Sequence, residues 1–502
     1  MKAKLPRWVG LSGVLGLLRV GCALGATWLQ DPQSTGRPEL TASAGGSRPS
    51  LPLQVDGLFP ELALPAVLPA PVAEQGISAL VTWADRLWAV GYSESGPEGR
   101  GLFEINPQLQ LSKNPASLPE PGRHGNRWVH PESAQAFIGP YVIDARGAVR
   151  VIDGLKDQPL AATARHLTQP STWVYHLTAS GSLFETHVGS LETRKLAELT
   201  DVLKLPPGAG LNVTAACTAQ KRLIVTVDSV HGKDQVATRS TGRLLQWDGS
   251  AWSVVRENAF LDVNAPVEPG TPSEVPLYAV GRDKASTLLE VLDQGIWWRY
   301  RLPRGGTGPN RGTSFESMTV RPIHQGQVLL DSAGLFFDLA GTGPAAETWT
   351  VSPIARHSRS RPDLTFWRGL LVLAGQPEDG ALGLSQPNFW WLNPEKLGLC
   401  GKPQGWGAVW WDDLVDEKSV SDPFLMTGFD QKVLHLTHDG KDVASFTIEV
   451  DFLGTGTWKT YASIQVFPGV YAHHEFPQGY SAHWVRLKCD TPGRATAMFI
   501  YR

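Results

Sequence analysis

Hydrophobic and polar positions alternate in short, strand-length runs along most of this chain, and one kind of run recurs. An aromatic or apolar stretch followed by a turn, interpreted as the third strand of each repeat, appears about seven times, roughly 35–60 residues apart. Most copies follow an apolar stretch such as RLWAVGY or RLIVTVD. The copies lie at residues 101–106, 148–153, 182–187, 243–249, 296–303, 334–340 and 388–393. Repeats of this size predict four-stranded sheets stacked around a ring, because a single sheet leaves a hydrophobic face exposed.

We therefore predict an all-β protein with a seven-bladed β-propeller at residues 77–415, although six or eight blades also fit such degenerate copies. Residues 420–502 alternate more densely between Gly, Pro and Asp turns, which predicts a small C-terminal β-sandwich. Residues 27–76 are rich in Pro, Ser, Gly and Ala without a period, which is typical of an extended linker.

The N-terminus indicates the compartment. Basic residues precede an apolar run and a small-residue cleavage zone, so residues 1–26 are predicted to be a signal peptide and the protein to be secreted or extracytoplasmic. A lipoprotein anchor at Cys22 is the alternative, which Arg19 disfavours by interrupting the apolar run. We expect no integral membrane segment in the mature chain, since no other stretch has the required length.

Net charge and the spacing of cysteines and histidines limit the classes of partner and metal site that we expect. A formal net charge of −3 over 502 residues predicts no nucleic-acid partner. The mature cysteines lack the spacing of a metal site, so either Cys400 pairs with Cys489 or these two and Cys217 are buried thiols. Adjacent His473 and His474 point to opposite faces of a strand. We expect no metal, no cofactor and a monomeric chain.

Polar side chains recur on the strands predicted to be innermost, which line the channel of a propeller. These strands are residues 78–84, 127–133, 163–167, 215–220, 277–283, 319–324 and 364–368. Burying unpaired polar groups is costly, so they either bind water and one another or converge on a ligand. Several are arginine or histidine, which suit carboxylate binding and proton transfer respectively.

The site hypothesis assigns two roles. His130 and His166 are the candidate catalytic, proton-transferring residues. The candidate substrate-binding residues are Asn126, Arg127, Glu132, Arg165, Gln220, Arg282, His357 and Arg359. An acidic sugar is a suitable ligand for these residues, because arginine side chains bind carboxylates. A two-carboxylate glycosidase mechanism has little support, because only Glu132 and Asp283 are acidic on these strands.

Four segments resemble a family of exported bacterial proteins with a propeller and a small C-terminal β-domain: NRWVHPESAQAFIGPYVID, GKPQGWG, SDPFLMTGFDQKVLHLTHD and FPQGYSAHWVRL. The resemblance covers nearly everything after residue 76 and implies architecture more than activity. More loosely, the plan is similar to propeller glycoside hydrolases and lyases, including rhamnosidase-like ones with an active-centre histidine. The family pattern usually has His at Cys217 and Asn at Asp228, which implies a changed substrate or lost activity.

Three functions remain open. The leading one is a secreted carbohydrate-active protein, a glycoside hydrolase or polysaccharide lyase, that takes a polysaccharide or oligosaccharide at the propeller axis. The alternatives are a non-catalytic glycan-binding or adhesion protein and a protein-interaction propeller. An enzyme requires His130, Arg165 and His166 together in a pocket reachable from solvent. A binder should instead show an exposed row of tryptophans away from the axis. The candidates, each of which could alternatively pack in the core, are Trp390, Trp391, Trp406, Trp410 and Trp411.

Overall fold

The computed structural model describes residues 55–59, 62–64, 75–93, 98–118, 124–231, 242–266, 275–305, 318–323, 327–339, 350–357, 359–377 and 388–502, and the side chains at 75, 359–362 and 375–377 are excepted. The predicted signal peptide, Cys22 and most of the predicted linker lie outside these residues. The described helices are short: α1 (Leu199–Val202) and the 3-10 turns Pro131–Ser133 and Pro394–Leu399. None of them is long and apolar enough to cross a membrane.

The described strands before residue 400 form seven four-stranded antiparallel units, here called blades. Blades 1 and 2 comprise β2 (Gln75–Trp83), β3 (Arg86–Ser93), β4 (Gly101–Ile105), β5 (Leu111–Lys113), β6 (Arg127–His130), β7 (Gln135–Ile138), β8 (Tyr141–Asp144) and β9 (Val149–Val151). Blades 3 and 4 comprise β10 (Leu160–Arg165), β11 (Trp173–Thr178), β12 (Ser182–His187), β13 (Thr193–Glu198), β14 (Gly210–Ala219), β15 (Arg222–His231), β16 (Arg243–Trp247) and β17 (Trp252–Arg256).

Blades 5 to 7 continue the same order along the chain. They comprise β18 (Ala259–Asn264), β19 (Leu277–Arg282), β20 (Thr287–Asp293), β21 (Ile296–Leu302), β23 (Met318–Pro322), β24 (Val328–Ser332), β25 (Leu335–Asp338), β26 (Ser352–Arg356), β27 (Arg359–Trp367), β28 (Leu370–Pro377), β29 (Asn388–Leu392) and β1 (Gly57–Leu58). The strand β1 completes blade 7 from the far end of the chain, with Gly57 opposite Trp391.

The blades close into a ring. Their innermost strands contact one another in the order β2, β6, β10, β14, β18, β23 and β27, and β27 in turn contacts β2. Hydrophobic side chains fill the spaces between blades: Trp88 and Tyr141 lie in one cluster between blades 1 and 2, and Phe103 and Trp391 lie in another between blades 7 and 1. The prediction of an all-β propeller is confirmed by this closed arrangement.

Three predicted strand positions are wrong. Residues 148–153 and 296–303 contain β9 and β21, which are the fourth strands of their blades and not the third. Residues 277–283 contain β19, the second strand of blade 5, whose innermost strand is β18. A period of four strands does not specify which strand lies at the axis, and β18 was missed because its apolar stretch resembles a middle strand.

The residues after 400 contribute strands to two sheets. Their strands are β30 (Gly405–Val415), β31 (Phe424–Leu425), β32 (Lys432–His438), β33 (Ala444–Asp451), β34 (Lys459–Val466), β35 (Ala472–Glu475), β36 (Trp484–Cys489) and β37 (Gly493–Tyr501), joined by the short β22 (Arg304–Gly305). One sheet has the order β22-β30-β37-β32-β35. The other extends blade 5, because β31 pairs with β21 and is followed by β36, β33 and β34. Pairing therefore places β30 with the C-terminal strands, although the sequence assigned it to the propeller.

The two C-terminal sheets share one hydrophobic core. Phe424 stacks on Phe499 with centroids 4.9 Å apart, and Leu434 and Phe446 are fully buried in the same cluster. Because side chains alternate along a strand, the neighbours of Leu434 on β32 lie on the opposite face of the five-stranded sheet. That face carries His435.

Candidate functional site

An alternating chain of arginine and aspartate side chains occupies the innermost strands. Arg127 on β6 places Nη2 2.7 Å from Asp363 Oδ1 on β27. Arg321 on β23 reaches the same oxygen with Nε at 3.1 Å and also forms an ion pair with Asp262 on β18. Guanidinium–carboxylate contacts of this kind are charge-assisted hydrogen bonds. The chain thus connects blades 2, 7, 6 and 5.

Backbone amides complete the contacts of both carboxylates. Leu80 N in blade 1 donates to Asp363 Oδ2 at 2.7 Å, and Val320 N donates to Asp262 Oδ2 at 2.9 Å. Burial raises the pKa of Asp262 to about 7, although the Arg127 charge opposes the rise. Burial also raises the pKa of Asp363. The innermost strands therefore hold a carboxyl group that titrates near neutral pH.

Cys217 is a neutral thiol on β14. Burial raises its pKa to about 12, and the Asp262 charge adds to the rise. A thiol that stays protonated at neutral pH is a poor nucleophile. Cys217, Cys400 and Cys489 are all free, so Cys400 and Cys489 form no bridge; of the three predicted buried thiols, Cys489 is buried and the other two are partly exposed.

Arg165 and His166 are adjacent but contact different blades. Arg165 Nη2 donates to Glu132 Oε1 at 2.5 Å, towards blade 2. His166 Nε2 lies 3.0 Å from Glu185 Oε2 within blade 3, and its ring stacks on Tyr175 at 4.3 Å. Burial, followed by the Arg194 charge, lowers the pKa of His166 to about 4. The two candidates therefore do not converge on one ligand.

Both imidazoles proposed for proton transfer are engaged within the chain. His130 Nδ1 accepts from Ser133 N at 3.0 Å, and its Nε2 lies 2.6 Å from the Pro170 carbonyl oxygen. His166 Nδ1 accepts from Gln169 N at 3.0 Å, which leaves Nε2–H to donate to Glu185. Each ring thus has both nitrogens occupied by hydrogen-bonding groups of the chain. Neither has a lone pair available to accept a proton from a ligand.

Three other candidates make structural hydrogen bonds. Asn126 Nδ2 donates to the Gly139 carbonyl and to Thr163 Oγ1, both at 2.9 Å, and its side chain is buried. Gln220 Nε2 donates to the carbonyl oxygens of Val275 at 3.1 Å and Leu292 at 2.9 Å, so it bridges backbone of blade 5. Glu132, which is exposed, binds Arg165 and lies 3.7 Å from His130 Nε2.

Two of the remaining candidates lie away from the innermost strands. Arg282 is on the second strand of blade 5, where it pairs with Asp228 at 3.1 Å, so its placement on an innermost strand is wrong. His357 follows the outer strand β26, with Nε2 3.1 Å from Asp331 Oδ1. Arg359 begins the innermost strand β27, and its side chain is outside the described set.

A groove of about 370 Å³ crosses the outer face of the five-stranded C-terminal sheet. Its lining comprises Gln431, Val433, His435, Tyr471, His473, Glu475, Ile500 and Arg502. We call this the sheet groove. Strand pairing builds it: His435 lies opposite His473 across β32 and β35, and Val433 lies between Glu475 and Ile500.

Three rings form one side of the sheet groove. Tyr471 is 57% exposed, and its ring is 15° from parallel with His473 at 5.7 Å and 26° from parallel with His435 at 5.9 Å. The Tyr471 hydroxyl also lies 2.7 Å from His435 Nδ1, which fixes the ring positions. Burial, and then the His473 charge, lowers the pKa of His435. The result is an accessible aromatic surface on which the Tyr471 ring is close to parallel with both imidazoles.

Polar side chains border the sheet groove. Gln431, Glu475 and Arg502 are exposed, and each offers two or more hydrogen-bonding atoms. Gln431 and Arg502 are held beside each other by backbone hydrogen bonds of 2.7 and 2.9 Å. A flat ring surface next to paired hydrogen-bonding groups can bind a molecule that has both apolar C–H faces and hydroxyl groups. No signal in the sequence pointed to Tyr471, Gln431, Glu475 or Arg502.

The predicted tryptophan row is not an exposed surface. Trp391, Trp406 and Trp410 are each less than a tenth exposed. Arg304 covers the Trp406 ring at 5.5 Å. These tryptophans therefore pack the core, which was the alternative interpretation of each of them.

The C-terminal histidines do not converge. His473 lies in the sheet groove, whereas His474 packs against Phe476 at 4.8 Å, so the prediction that they point to opposite faces is confirmed. His438 Nε2 lies 2.8 Å from the Val466 carbonyl oxygen, and His483 Nε2 accepts from Val351 N at 3.0 Å. Within the described part of the chain, no three His, Cys, Asp or Glu side chains are placed to hold a metal ion.

No protein-family model and no curated protein matches the chain. Among solved structures, the WD40 repeats of RRP9 are similar, with a TM-score of 0.42, 12% identity, and coverage of 68% of this chain and 99% of that one. U3-55K gives a TM-score of 0.39 at 11% identity, covering 64% and 99%. YCF48 bound to a D1 peptide gives 0.35 at 11%, covering 65% and 99%. The assignment of this protein as a β-propeller rests on its own strand pairing and ring closure.

Proposed function

We propose that this protein is an exported, non-catalytic glycan-binding propeller protein whose sheet groove holds an oligosaccharide. The observation that carries the proposal is the accessible ring surface of His435, Tyr471 and His473, bordered by Gln431, Glu475 and Arg502. A sugar ring presents axial C–H groups on one face and hydroxyl groups at its rim. The rings would receive that face, and the bordering side chains would bind the hydroxyls.

The propeller axis, which is the alternative place for a glycan, is poorly suited to binding one, and this supports the proposal. The basic groups expected to bind an acidic sugar are already paired with Asp262, Asp363 and Glu132. Displacing these carboxylates would leave buried charges without partners, which costs several kcal/mol. The ring then serves as a rigid base for the C-terminal sheets.

Glycan-array screening of the mature protein tests the proposal. We expect binding that is lost in Tyr471→Ala and weakened about fivefold in His473→Ala, since stacking contributes on the order of 1 kcal/mol. His474→Ala is the matched control, because this neighbour lies on the other face of β35. Equal losses in His473→Ala and His474→Ala would mean that the variants act through folding and not through the groove.

A second candidate is catalysis on a glycan at the axis, as the sequence suggested. It is favoured by Asp262, whose pKa of about 7 would allow it to donate a proton at neutral pH, with Asp363 sharing the same arginine. Acidic and neutral polysaccharides incubated with the protein test it. Product release that disappears in Asp262→Asn and persists in Tyr471→Ala would establish this candidate in place of the binding module.

Export is part of the proposal and has its own test. The basic residues and apolar run at the N-terminus support a leader of residues 1–26. Sequencing the N-terminus of the protein recovered outside the cytoplasm should find a start after Ala26. A start at a lipid-modified Cys22 would replace secretion by membrane anchoring, and an intact leader on a cytoplasmic protein would refute export.

A further inference from the structure

An apolar turn lies at one end of the sheet groove. Residues 467–471 connect β34 to β35, and within them Phe467, Val470 and Tyr471 are each more than half exposed. Val470 N donates to the Phe467 carbonyl at 3.0 Å, and Gly469 has a φ of +68°, so the backbone makes a tight turn with the glycine in the left-handed region. A Cβ built on Gly469 meets nothing within 4 Å, so this turn projects into open space.

The turn is held rigidly although its side chains are exposed. Gly469 N donates to the His438 carbonyl at 2.8 Å. The buried ring of His438 in turn contacts the Val466 carbonyl at 2.8 Å and accepts from Gly440 N at 3.0 Å. Exposed apolar side chains on a fixed backbone lose little conformational entropy when they are covered.

The amount of apolar surface indicates the kind of partner. Phe467, Val470 and Tyr471 together expose on the order of 300 Å², whereas a stable protein interface needs about 800 Å² on each side. A few apolar side chains on a projecting turn are sufficient for reversible insertion into the head-group region of a lipid bilayer. The nearby exposed charges Asp439, Lys441 and Asp442 do not form the basic cluster that anionic lipids attract.

We infer that the glycan recognised by the sheet groove is the head group of a membrane glycolipid, and that the apolar turn inserts beside it. This inference rests on the proposed glycan binding. Tyr471 belongs to both surfaces, since it ends the turn and lines the groove. A sugar in the groove would thus be linked to its lipid at the place where Phe467 and Val470 meet the bilayer.

The chain provides a matched control for this arrangement. Phe452 and Leu453 are also more than half exposed and also sit in a fixed turn, where Asp451 accepts hydrogen bonds from the amides of Gly454, Thr455 and Gly456. That turn is at the other end of β34, about 25 Å from the first. It matches the apolar turn in hydrophobicity and differs in its distance from the groove.

Vesicle sedimentation tests the inference. The probes are phosphatidylcholine vesicles, alone or with galactosyl- or glucuronosyl-diacylglycerol, and the corresponding soluble methyl glycosides. We expect one glycolipid to be bound at least about tenfold more tightly than its soluble sugar. Phe467→Ser with Val470→Ser should abolish this advantage and leave the binding of the soluble sugar unchanged. Phe452→Ser with Leu453→Ser should change neither.

The possible negative results distinguish an error in the membrane inference from an error in the glycan-binding proposal. Equal binding of vesicles by the parent protein and the Phe467→Ser, Val470→Ser variant would overturn the membrane inference while leaving the groove intact. Vesicle binding that survives in Tyr471→Ala, together with no binding of any soluble sugar, would overturn the glycan-binding proposal. A parent protein that sediments with no glycolipid vesicle, or that is a dimer dissociated by the Phe467→Ser change, would also overturn the inference.

Discussion

Arg127 and Asp363 form an ion pair of 2.7 Å although their strands belong to blades 2 and 7. The innermost strand of blade 1 lies between those strands in the ring and contributes Leu80 N to the same aspartate. Because Arg321 of blade 6 binds the same aspartate, this carboxylate joins four blades at the point where the first and last parts of the propeller meet. This relationship gives polar residues on the innermost strands a structural role in joining the blades.

Arg127→Ala should destabilise the protein by about 3–5 kcal/mol, because Asp363 would be left buried with one partner fewer. Urea unfolding measures the change. Arg146→Ala, at an exposed turn, is the control and should stay within about 0.5 kcal/mol of the parent. A small effect of Arg127→Ala would show that the ion pair does not hold the ring together.

His166→Ala should weaken the fold and not ligand binding. Glu185 is 4% exposed and would lose the hydrogen bond of the imidazole, at a cost of about 1–3 kcal/mol, while Arg194 remains its partner. Unfolding and glycan-binding measurements on the same variant separate the two roles. Loss of binding or turnover without loss of stability would restore His166 as a functional residue.

The innermost strands illustrate what the sequence can and cannot indicate. Their polar positions were found in six of seven blades, and Arg127 and Arg165 are indeed on them. The identity of the partners was not predictable, because it depends on how blades are rotated about the axis. Asp262 was missed since AFLDVN resembles an ordinary apolar strand; an aspartate within such a run was the available signal.

The sheet groove could not be predicted from the sequence because it depends on the order of strands in the sheet. Alternation correctly separates His473 from His474 within one strand. The pairing of His435 with His473, however, joins β32 to β35 while β33 and β34 run in the other sheet. Periodicity gives the face on which each residue lies but not the order of strands. The sequence therefore did not predict that the rings of His435, Tyr471 and His473 lie together.

The stability of the protein should fall below about pH 6.5. Burial lowers the pKa of His124 to about 4 and that of His176 to about 3, so the folded state binds fewer protons than the unfolded state, whose histidines titrate at their ordinary value. Each contribution is complete above pH 6.5 and is lost as the pH falls through the folded-state pKa. The contribution is roughly 3 kcal/mol for His124 and roughly 5 kcal/mol for His176.

Thermal unfolding between pH 7 and pH 4 measures this dependence. His176→Gln should be less stable than the parent at pH 7, because the contact of His176 with Thr163 at 2.9 Å is lost. Its unfolding temperature should nevertheless fall less on acidification. Parallel curves for parent and variant would show that His176 is not the group that titrates.

Asp262 should produce the opposite dependence at higher pH. Its folded-state pKa of about 7 lies above the ordinary value, so the folded state binds more protons, and this stabilisation is lost as the pH rises through 7. We expect the stability difference between the parent and Asp262→Asn to shift in favour of the variant from pH 5 to pH 8. A constant difference would mean that Asp262 is ionised throughout this range.

Hydrogen–deuterium exchange of the mature protein with and without a bound oligosaccharide locates the ligand without any substitution. Glycan binding at the sheet groove predicts added protection in peptides covering residues 431–435, 471–475 and 498–502, with none in 127–133 or 259–264. Protection confined to those two innermost strands, with the C-terminal sheet unchanged, would place the ligand at the propeller axis and contradict the function proposed here.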